Sequence, residues 1–293
     1  MMVKTLSELK GYNIVGKHSA VKTCLWLKKS LKDEGVCYKE KFYGIKSHRC
    51  LQISPALRCN LSCIHCWRPL SLMPEIDGWD DPQFIVEESI KAQQRLLSGF
   101  WGTKGVNTKK LEEAYKPNQV AISLIGEPTL YPFIAELVDE FNSREMTTFV
   151  VTNGTNPNAV DRLEPYQLYI SLTAYSESSH KTLNKPHGNL WDKINRSLEI
   201  MSEKDCRTVL RLTLIKGINM NVERFAGLIN KANPDFIEAK AYMHLGHSRY
   251  RLERSAMPEH DEIRDFAEKL EKLADYRIVD ESEISRVVLL ERK

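Results

Sequence analysis

The segment Cys59-Asn60-Leu61-Ser62-Cys63-Ile64-His65-Cys66 places three thiols in eight residues, spaced C-x₃-C-x₂-C. Thiolates are soft ligands that suit iron–sulfur clusters and zinc. Three of them in a loop can wrap a four-iron cubane and leave its fourth iron open to another ligand. Zinc is the alternative. His65 would be the fourth donor, but Ile64 and Cys66 crowd it, and a closed zinc site wants four clear ligands. Upstream, Cys24, Cys37 and Cys50 are spaced C-x₁₂-C-x₁₂-C. Three more cysteines just before a cluster motif point to a second cluster with an open iron, able to bind or polarise a substrate oxygen. Buried apolar cysteines are the alternative there. Six of the seven cysteines lie between positions 24 and 66, leaving Cys206 without a role. In a reducing compartment such clusters are ligands or catalytic groups rather than disulfides.

These thiols need a scaffold. The 293 residues are 42% hydrophobic and 28% charged, ordinary for a folded chain of one large domain or two small ones. No apolar stretch approaches the roughly 18 residues needed to span a bilayer. The start, Met1 to Glu8, lacks the apolar core of a signal peptide, so the expectation is a cytoplasmic protein. Net charge is only +3, yet residues 1–50 hold eleven Lys or Arg against four Asp or Glu. A basic head on a mildly acidic body suits either a polyanionic partner or a solvated lysine-rich face.

Residues 1–49 show no clean period and read as an irregular extension with one short helix near Val21–Leu31. From Cys50 onward, apolar runs alternate with helical patterns. The strand candidates are Leu51–Leu57, Gln119–Ile125, Thr147–Thr152, Leu168–Thr173, Thr208–Leu214 and Phe236–Met243, short and rich in Val, Ile, Thr and Tyr. Helical patterns cover Pro82–Leu97, Phe133–Arg144, Leu190–Ser202, Val222–Ala232 and Glu259–Ala274. Tyr276–Val279 and Arg286–Leu290 form a closing strand pair. The alternation predicts an α/β fold with a parallel sheet, either a partial barrel or an open doubly wound sheet. In both, ligands sit at the carboxyl ends of the strands. The expected domains are 1–49, carrying second-cluster ligands, and 50–293.

The first cysteine motif resembles that of the radical S-adenosylmethionine superfamily. There three such cysteines hold a [4Fe–4S] cluster whose open iron chelates the cofactor. The superfamily's partial (β/α)₆ barrel agrees with six strand candidates. The position before the last cysteine is usually Phe or Tyr, and His65 departs from that. Ser123-Leu124-Ile125-Gly126-Glu127-Pro128 stands where Gly-Gly-Glu is usual, with Ile125 the departure. By that resemblance Glu127 accepts from the methionine ammonium group. His65, Asn153 and Ser171 also contact the cofactor, the last two from the ends of the third and fourth strands.

Wider stretches resemble the archaeal 4-demethylwyosine synthases of the wybutosine pathway. They include Val15 to Lys22, Cys37-Tyr38-Lys39, Ser47 to Gln52, Cys66-Trp67-Arg68-Pro69, Trp79-Asp80-Asp81-Pro82, Gly126 to Pro132 and Glu238 to Met243. The resemblance implies two [4Fe–4S] clusters, S-adenosylmethionine, and a tRNA-Phe substrate bearing N1-methylguanosine beside the anticodon. A 5′-deoxyadenosyl radical takes hydrogen from the methyl group, and two pyruvate carbons complete a tricyclic base. Eukaryotic relatives carry a flavodoxin-like domain; the expectation here is a separate electron donor. Pyruvate would be chelated by the second cluster's open iron or held as a Schiff base, which needs a neutral amine. Lys39 is the first candidate and Lys41 the second. The extension is expected to cap the barrel mouth.

Lys28, Lys29 and Lys32, with Arg249, Arg251 and Arg254, are candidate phosphate contacts. Trp26, Trp67, Arg68 and Tyr242 are candidates to hold the target base out of its stack. His18, His48, His244 and His247 are candidates for proton transfer. Two other readings stand beside this one. One is a two-cluster radical enzyme acting on a protein or small molecule. The other is a non-catalytic iron–sulfur protein that binds RNA.

Overall fold

The computed structural model describes residues 11–70 and 76–293. These fall in two compact units. The first takes residues 11–59, 76–151 and 163–166, and the second takes 60–70, 152–162 and 167–293. The division cuts the chain differently from the expected boundary at residue 49.

In the first unit, strands β1 (Asn13–Val15), β2 (Ser19–Val21), β3 (Cys50–Ser54), β4 (Gln119–Ile122) and β5 (Thr147–Thr152) lie side by side in that order. β1, β2 and β3 pair antiparallel, whereas β3, β4 and β5 are parallel, with Cys50 opposite Gln119 and Gln119 opposite Thr147. Val120, Ile122, Phe149 and Val150 are buried, as strands covered on both faces must be. The helices are α1 (Leu25–Ser30), α2 (Tyr38–Tyr43), α3 (Pro82–Leu97), α4 (Thr108–Ala114) and α5 (Ile134–Ser143). α3 starts where the sequence expects, with Pro82 in its first turn and the Asp81 carboxylate accepting from Gln83 N–H at 2.9 Å.

The extension is more regular than its sequence suggests. β1 and β2 are only three residues each, too short for a period to register, and they join the sheet edge beside β3. His18 anchors this edge. Its Nδ1 lies 2.6 Å from the Pro55 carbonyl, and its Nε2 accepts from Asp80 N–H at 2.8 Å. Trp79 and Tyr131 pack around the ring. Burial holds His18 below the usual histidine value, so the neutral tautomer serves as a bracket rather than a proton carrier. His48 is also structural, bonding Glu113 of α4 at 2.7 Å.

In the second unit, β6 (Gln167–Leu172), β7 (Arg207–Leu214) and β8 (Phe236–Ala241) are parallel. β10 (Val287–Arg292) runs antiparallel to β8, and β9 (Tyr276–Ser282) closes the row. Helices α6 (Pro157–Arg162), α7 (Glu177–Asn184), α8 (Trp191–Met201), α9 (Val222–Ala232) and α10 (His260–Leu273) accompany them. The two units thus supply three parallel strands each, matching the six expected. α2, α4, α6 and α7 escape sequence reading because each has eight residues or fewer, about two turns, too short to show a 3.6-residue period. Polar side chains start α7, through a capping box between Ser176 and Ser179. Among the described residues no helix is long and apolar enough to cross a membrane.

Phe225 of α9 is fully buried, and its ring meets Tyr175 at 5.6 Å and Phe266 at 6.2 Å. Phe225→Ala is expected to cost about 3–5 kcal/mol, measured as a lowered urea midpoint with unchanged slope.

Candidate active site

The carboxyl end of β3 leads through Pro55–Arg58 to Cys59, and the end of β4 is fastened to that segment. Ser54 Oγ donates to the Ile125 carbonyl and accepts from Ile125 N–H. Glu127 N–H donates to the Arg58 carbonyl at 2.7 Å. Gly126 lies between them at φ +74, pressed so closely on the Ala56 and Arg58 carbonyls that a β-carbon would overlap both. The family position occupied by Gly126 is thus a place where only hydrogen fits. The Glu127 carboxylate is 2% exposed and accepts from Thr129 N–H at 3.1 Å and Thr129 Oγ1 at 2.6 Å. The fold therefore brings a buried carboxylate to the root of the cysteine loop.

In the second unit, residues 60–67 are irregular, so their main-chain polar groups need partners from elsewhere. Ser62 N–H donates to the Asn184 carbonyl at 2.9 Å, and Ile64 N–H donates to Leu183 O at 2.9 Å. His187 N–H donates to Asn60 O at 3.0 Å. Asn60 also links to the end of β5. Its Oδ1 accepts from Asn153 Nδ2 at 3.0 Å, and its Nδ2 donates to Thr155 Oγ1 at 2.8 Å. Asn153 is therefore tied directly to the cysteine loop. Ser171, near the end of β6, is half-buried. Thr173, two residues on, places Oγ1 3.4 Å from His65 Nε2. Among the described residues His65 Nδ1 is buried with no hydrogen-bond partner. Burial, and after it the charge of Arg251, pushes His65 down to about 4, so the imidazole is neutral at physiological pH. A neutral ring with one unspent nitrogen fits a polar cofactor held against the loop.

The second cysteine set lies at the other end of β3. Cys50 is its first residue. Cys24 caps α1, its sulfur accepting from Leu27 N–H at 3.3 Å, and it packs beside buried Leu27, Leu31, Leu97 and Leu111. Cys37 precedes α2. Its N–H donates to Ser47 Oγ at 2.8 Å, and Ser47 N–H donates to Glu40 at 2.8 Å, which folds residues 37–47 back toward Cys50. Burial pushes up the thiol of Cys24. Cys50 is pushed up by burial first, then by the nearby Cys24 and Cys37, while Lys39 acts in the opposite sense. The structure therefore gathers Cys24, Cys37, Cys50 and Lys39. Lys39 Nζ stands 4.6 Å from the Phe149 ring centroid, and Lys41 is exposed. All seven cysteines are free of disulfides. Among the described residues no three His, Cys, Asp or Glu side chains are gathered closely enough to hold a single metal ion.

The second cysteine set lies apart from Glu127: Cys50 opens β3, whereas Glu127 and Cys59 follow the carboxyl ends of β4 and β3, and Ala20, Tyr12 and Ile14 of the extension pack at that carboxyl end beside Ser54, Leu57, Leu124 and Ile125. Cys50 and Ser54 are four residues apart, about 13 Å along a strand. Arg251 is engaged in part, its guanidinium donating to the Ile64 carbonyl at 3.1 Å and to the Cys66 carbonyl. Of the other cations, Lys28, Arg249 and Arg254 are exposed and Lys32 is half-buried. Lys29 lies 5.5 Å from the Trp26 ring. Tyr242 is core, 1% exposed, whereas Trp67 is 43% and Tyr250 73% exposed. Sequence reading missed the 183–187 and 246–251 brackets. Their only signals were turn residues such as Pro186 and Gly246.

The pattern of the radical SAM superfamily matches residues 53–229, and that of wyosine base formation matches 231–292. An S-adenosyl-L-methionine-dependent tRNA 4-demethylwyosine synthase from Pyrococcus abyssi is 52% identical over 99% of this chain and 88% of its own length. A synthase of the same description from Methanocaldococcus jannaschii is 42% identical, over 96% and 93%. A solved structure of TYW1 with a lysine-pyruvate adduct bound superposes with a TM-score of 0.90 at 42% identity, covering 96% of this chain and 92% of that one. A crystal structure of archaeal TYW1 gives 0.82 at 38% identity, with the same coverage.

Gly126→Ala is expected to destabilise the protein by about 2 kcal/mol or more, from left-handed strain plus the overlap with two carbonyls. Gly99, with open space around it, provides the comparison, and Gly99→Ala should stay within about 0.5 kcal/mol of the parent. Paired denaturant titrations check both.

Proposed function

The chain belongs to the tRNA 4-demethylwyosine synthase family of the radical S-adenosylmethionine superfamily, and from that premise we propose how its residues divide the reaction. The fold is the superfamily's partial barrel, and the enzyme is a tRNA-modifying lyase that uses an iron–sulfur cluster and S-adenosylmethionine. The reading on a protein or small-molecule substrate and the non-catalytic reading both give way to this match.

Cys59, Cys63 and Cys66 hold the radical-generating [4Fe–4S] cluster. Bound there, the cluster supplies the electron that splits S-adenosylmethionine into methionine and a 5′-deoxyadenosyl radical. The chain's own residues bind and orient. Glu127 takes the methionine ammonium group, supported by its burial and its attachment to the segment leading into Cys59. Asn153, Ser171 and His65 also contact the cofactor, supported by the Asn153–Asn60 link and the unspent His65 nitrogen.

Residues 1–49, with Cys50, carry the second [4Fe–4S] cluster on Cys24, Cys37 and Cys50. Three half-buried thiols gathered in one place, with those of Cys24 and Cys50 pushed up by burial, are costly as bare thiolates, and a shared cationic cluster relieves that cost. The observation that carries the assignment is the gathering of these thiols with Lys39. Lys39 Nζ attacks the ketone of pyruvate, water leaves, and the imine holds the acceptor carbon in place. The lysine-pyruvate adduct in the solved relative supports a lysine in this role, and Lys39 is better sited than exposed Lys41. The nucleobase is N1-methylguanosine beside the anticodon of tRNA-Phe. The enzyme acts in the cytoplasm, where tRNA is modified, and a separate donor supplies its electrons.

Incubation with reductant, S-adenosylmethionine, methylated tRNA and labelled pyruvate should give labelled 4-demethylwyosine on nucleoside mass spectrometry. Replacing Cys24, Cys37 and Cys50 by Ala should abolish the label yet leave some cleavage to 5′-deoxyadenosine. Normal label incorporation by that variant would remove the second cluster from the mechanism. Lys39→Ala should lose borohydride trapping of pyruvate, while Lys41→Ala keeps it.

Phosphate contacts are assigned to Lys28, Lys29 and Lys32 in the first unit and, separately, to Arg249 and Arg254 in the second, where exposed Trp67 and Tyr250 offer stacking surfaces. Neutralising Arg249 and Arg254 together should weaken tRNA binding and flatten its log–log salt dependence by about two, one per lost phosphate contact. The Lys28/Lys29/Lys32 triple variant should flatten it by about three. A filter-binding series across salt reads both slopes.

A further inference from the structure

The turn at residues 246–251 is fastened to the cysteine loop along its length. His247 N–H donates to the Trp67 carbonyl at 2.8 Å. Gly246, at φ +54, approaches that same carbonyl so closely that a β-carbon would overlap it. Arg251 completes the contact, with Nε donating to Ile64 O at 3.1 Å and Nη2 to Cys66 O. The turn belongs to the region matched by wyosine base formation, whereas the loop belongs to the region matched by the radical SAM superfamily.

We infer that Arg251 is a positioning residue whose charge sets the reduction potential of the cluster held by Cys59, Cys63 and Cys66. The inference rests on that cluster assignment. A planar guanidinium can serve two acceptors at once, and here the acceptors are the carbonyls flanking one ligand and belonging to the next. Ile64 O and Cys66 O carry partial negative charge beside the ligating sulfurs. Arg251 neutralises those dipoles and fixes a full positive charge within a few bonds of Cys66. Reduction adds one electron to the cluster, and a fixed cation favours the reduced state. Two of the guanidinium nitrogens, Nε and Nη2, are directed at the loop, where an arginine placed only to bind RNA would have no reason to turn them.

The region devoted to wyosine formation therefore governs how readily the generic radical chemistry starts. Without Arg251 the two carbonyls face the cluster uncompensated. Both losses, of the cation and of its hydrogen bonds, move the potential in the same direction, more negative.

The test is an anaerobic redox titration of the full-length holoenzyme, read on the electron paramagnetic resonance signal that changes when S-adenosylmethionine is added. A parent protein without such a signal fails the cluster assignment itself, not this inference. Given the signal, Arg251→Met with parent iron content should titrate at a more negative potential. Poised at the parent midpoint, its reduced fraction should fall about threefold or more. Arg251→Lys keeps the charge and should stay near the parent. An Arg251→Met midpoint equal to the parent's overturns the proposal, as does a shift in Arg251→Lys as large as in Arg251→Met. If Arg251→Met folds but fails to load iron, Arg251→Lys must restore loading; equal loss from both also overturns it.

Discussion

An irregular loop that presents thiols to a cluster has no ladder of its own, so every buried amide and carbonyl in it must find a partner elsewhere. That constraint organises the second unit. Residues 60–64 spend their main-chain donors and acceptors on residues 183–187, and residues 64–67 spend their carbonyls on residues 246–251. Asn60 adds the end of β5 through Asn153 and Thr155. The loop carrying Cys63 and Cys66 is thus shaped by distant parts of the chain.

The first unit solves a different problem, the cost of burying ionisable groups. Glu127 is buried, and its carboxylate is provided with two donors from Thr129. Cys24, Cys37 and Cys50 are each half-buried, and burial pushes up the thiols of Cys24 and Cys50 while Lys28 and Lys39 act in the opposite sense. These two arrangements stand at opposite ends of the parallel strands. The carboxylate belongs with the carboxyl ends, where ligands of parallel α/β sheets sit. The thiols belong with the amino end of β3, reached through the edge strands β1 and β2 and the helices α1 and α2. The Glu127 carboxylate and the Cys24, Cys37 and Cys50 thiols therefore occupy opposite ends of the same strands.

Much of this was legible from residues alone. The six parallel strands were readable because Val, Ile and Thr runs recur between long amphipathic helices, and five of those helices are long enough for a 3.6-residue period to register. The cysteines were readable because few other roles explain three thiols in eight residues. What could not be read was anything set by contacts distant in the chain. Arg251 looked like a phosphate contact because its neighbours Arg249 and Arg254 are exposed cations, and only the fold shows its donors turned onto Ile64 and Cys66. The edge strands of the extension went unread because three-residue strands leave no period. The importance of Leu183 to His187 was invisible because, apart from the His187 ring beside Ser62 Oγ, they contribute backbone atoms.

The clamp on the cysteine loop spans 187 residues of sequence between Ile64 and Arg251. During synthesis the motif emerges early, yet the groups that shape it emerge in two later stages, first 183–187 and then 246–251. A growing chain halted before residue 251 leaves the Ile64 and Cys66 carbonyls without the partner they have in the finished fold. The thiols are thus exposed to the ribosome's surroundings well before their final spacing exists. Maturation is ordered by chain geometry: the site reaches its full shape only when nearly the whole polypeptide has been made.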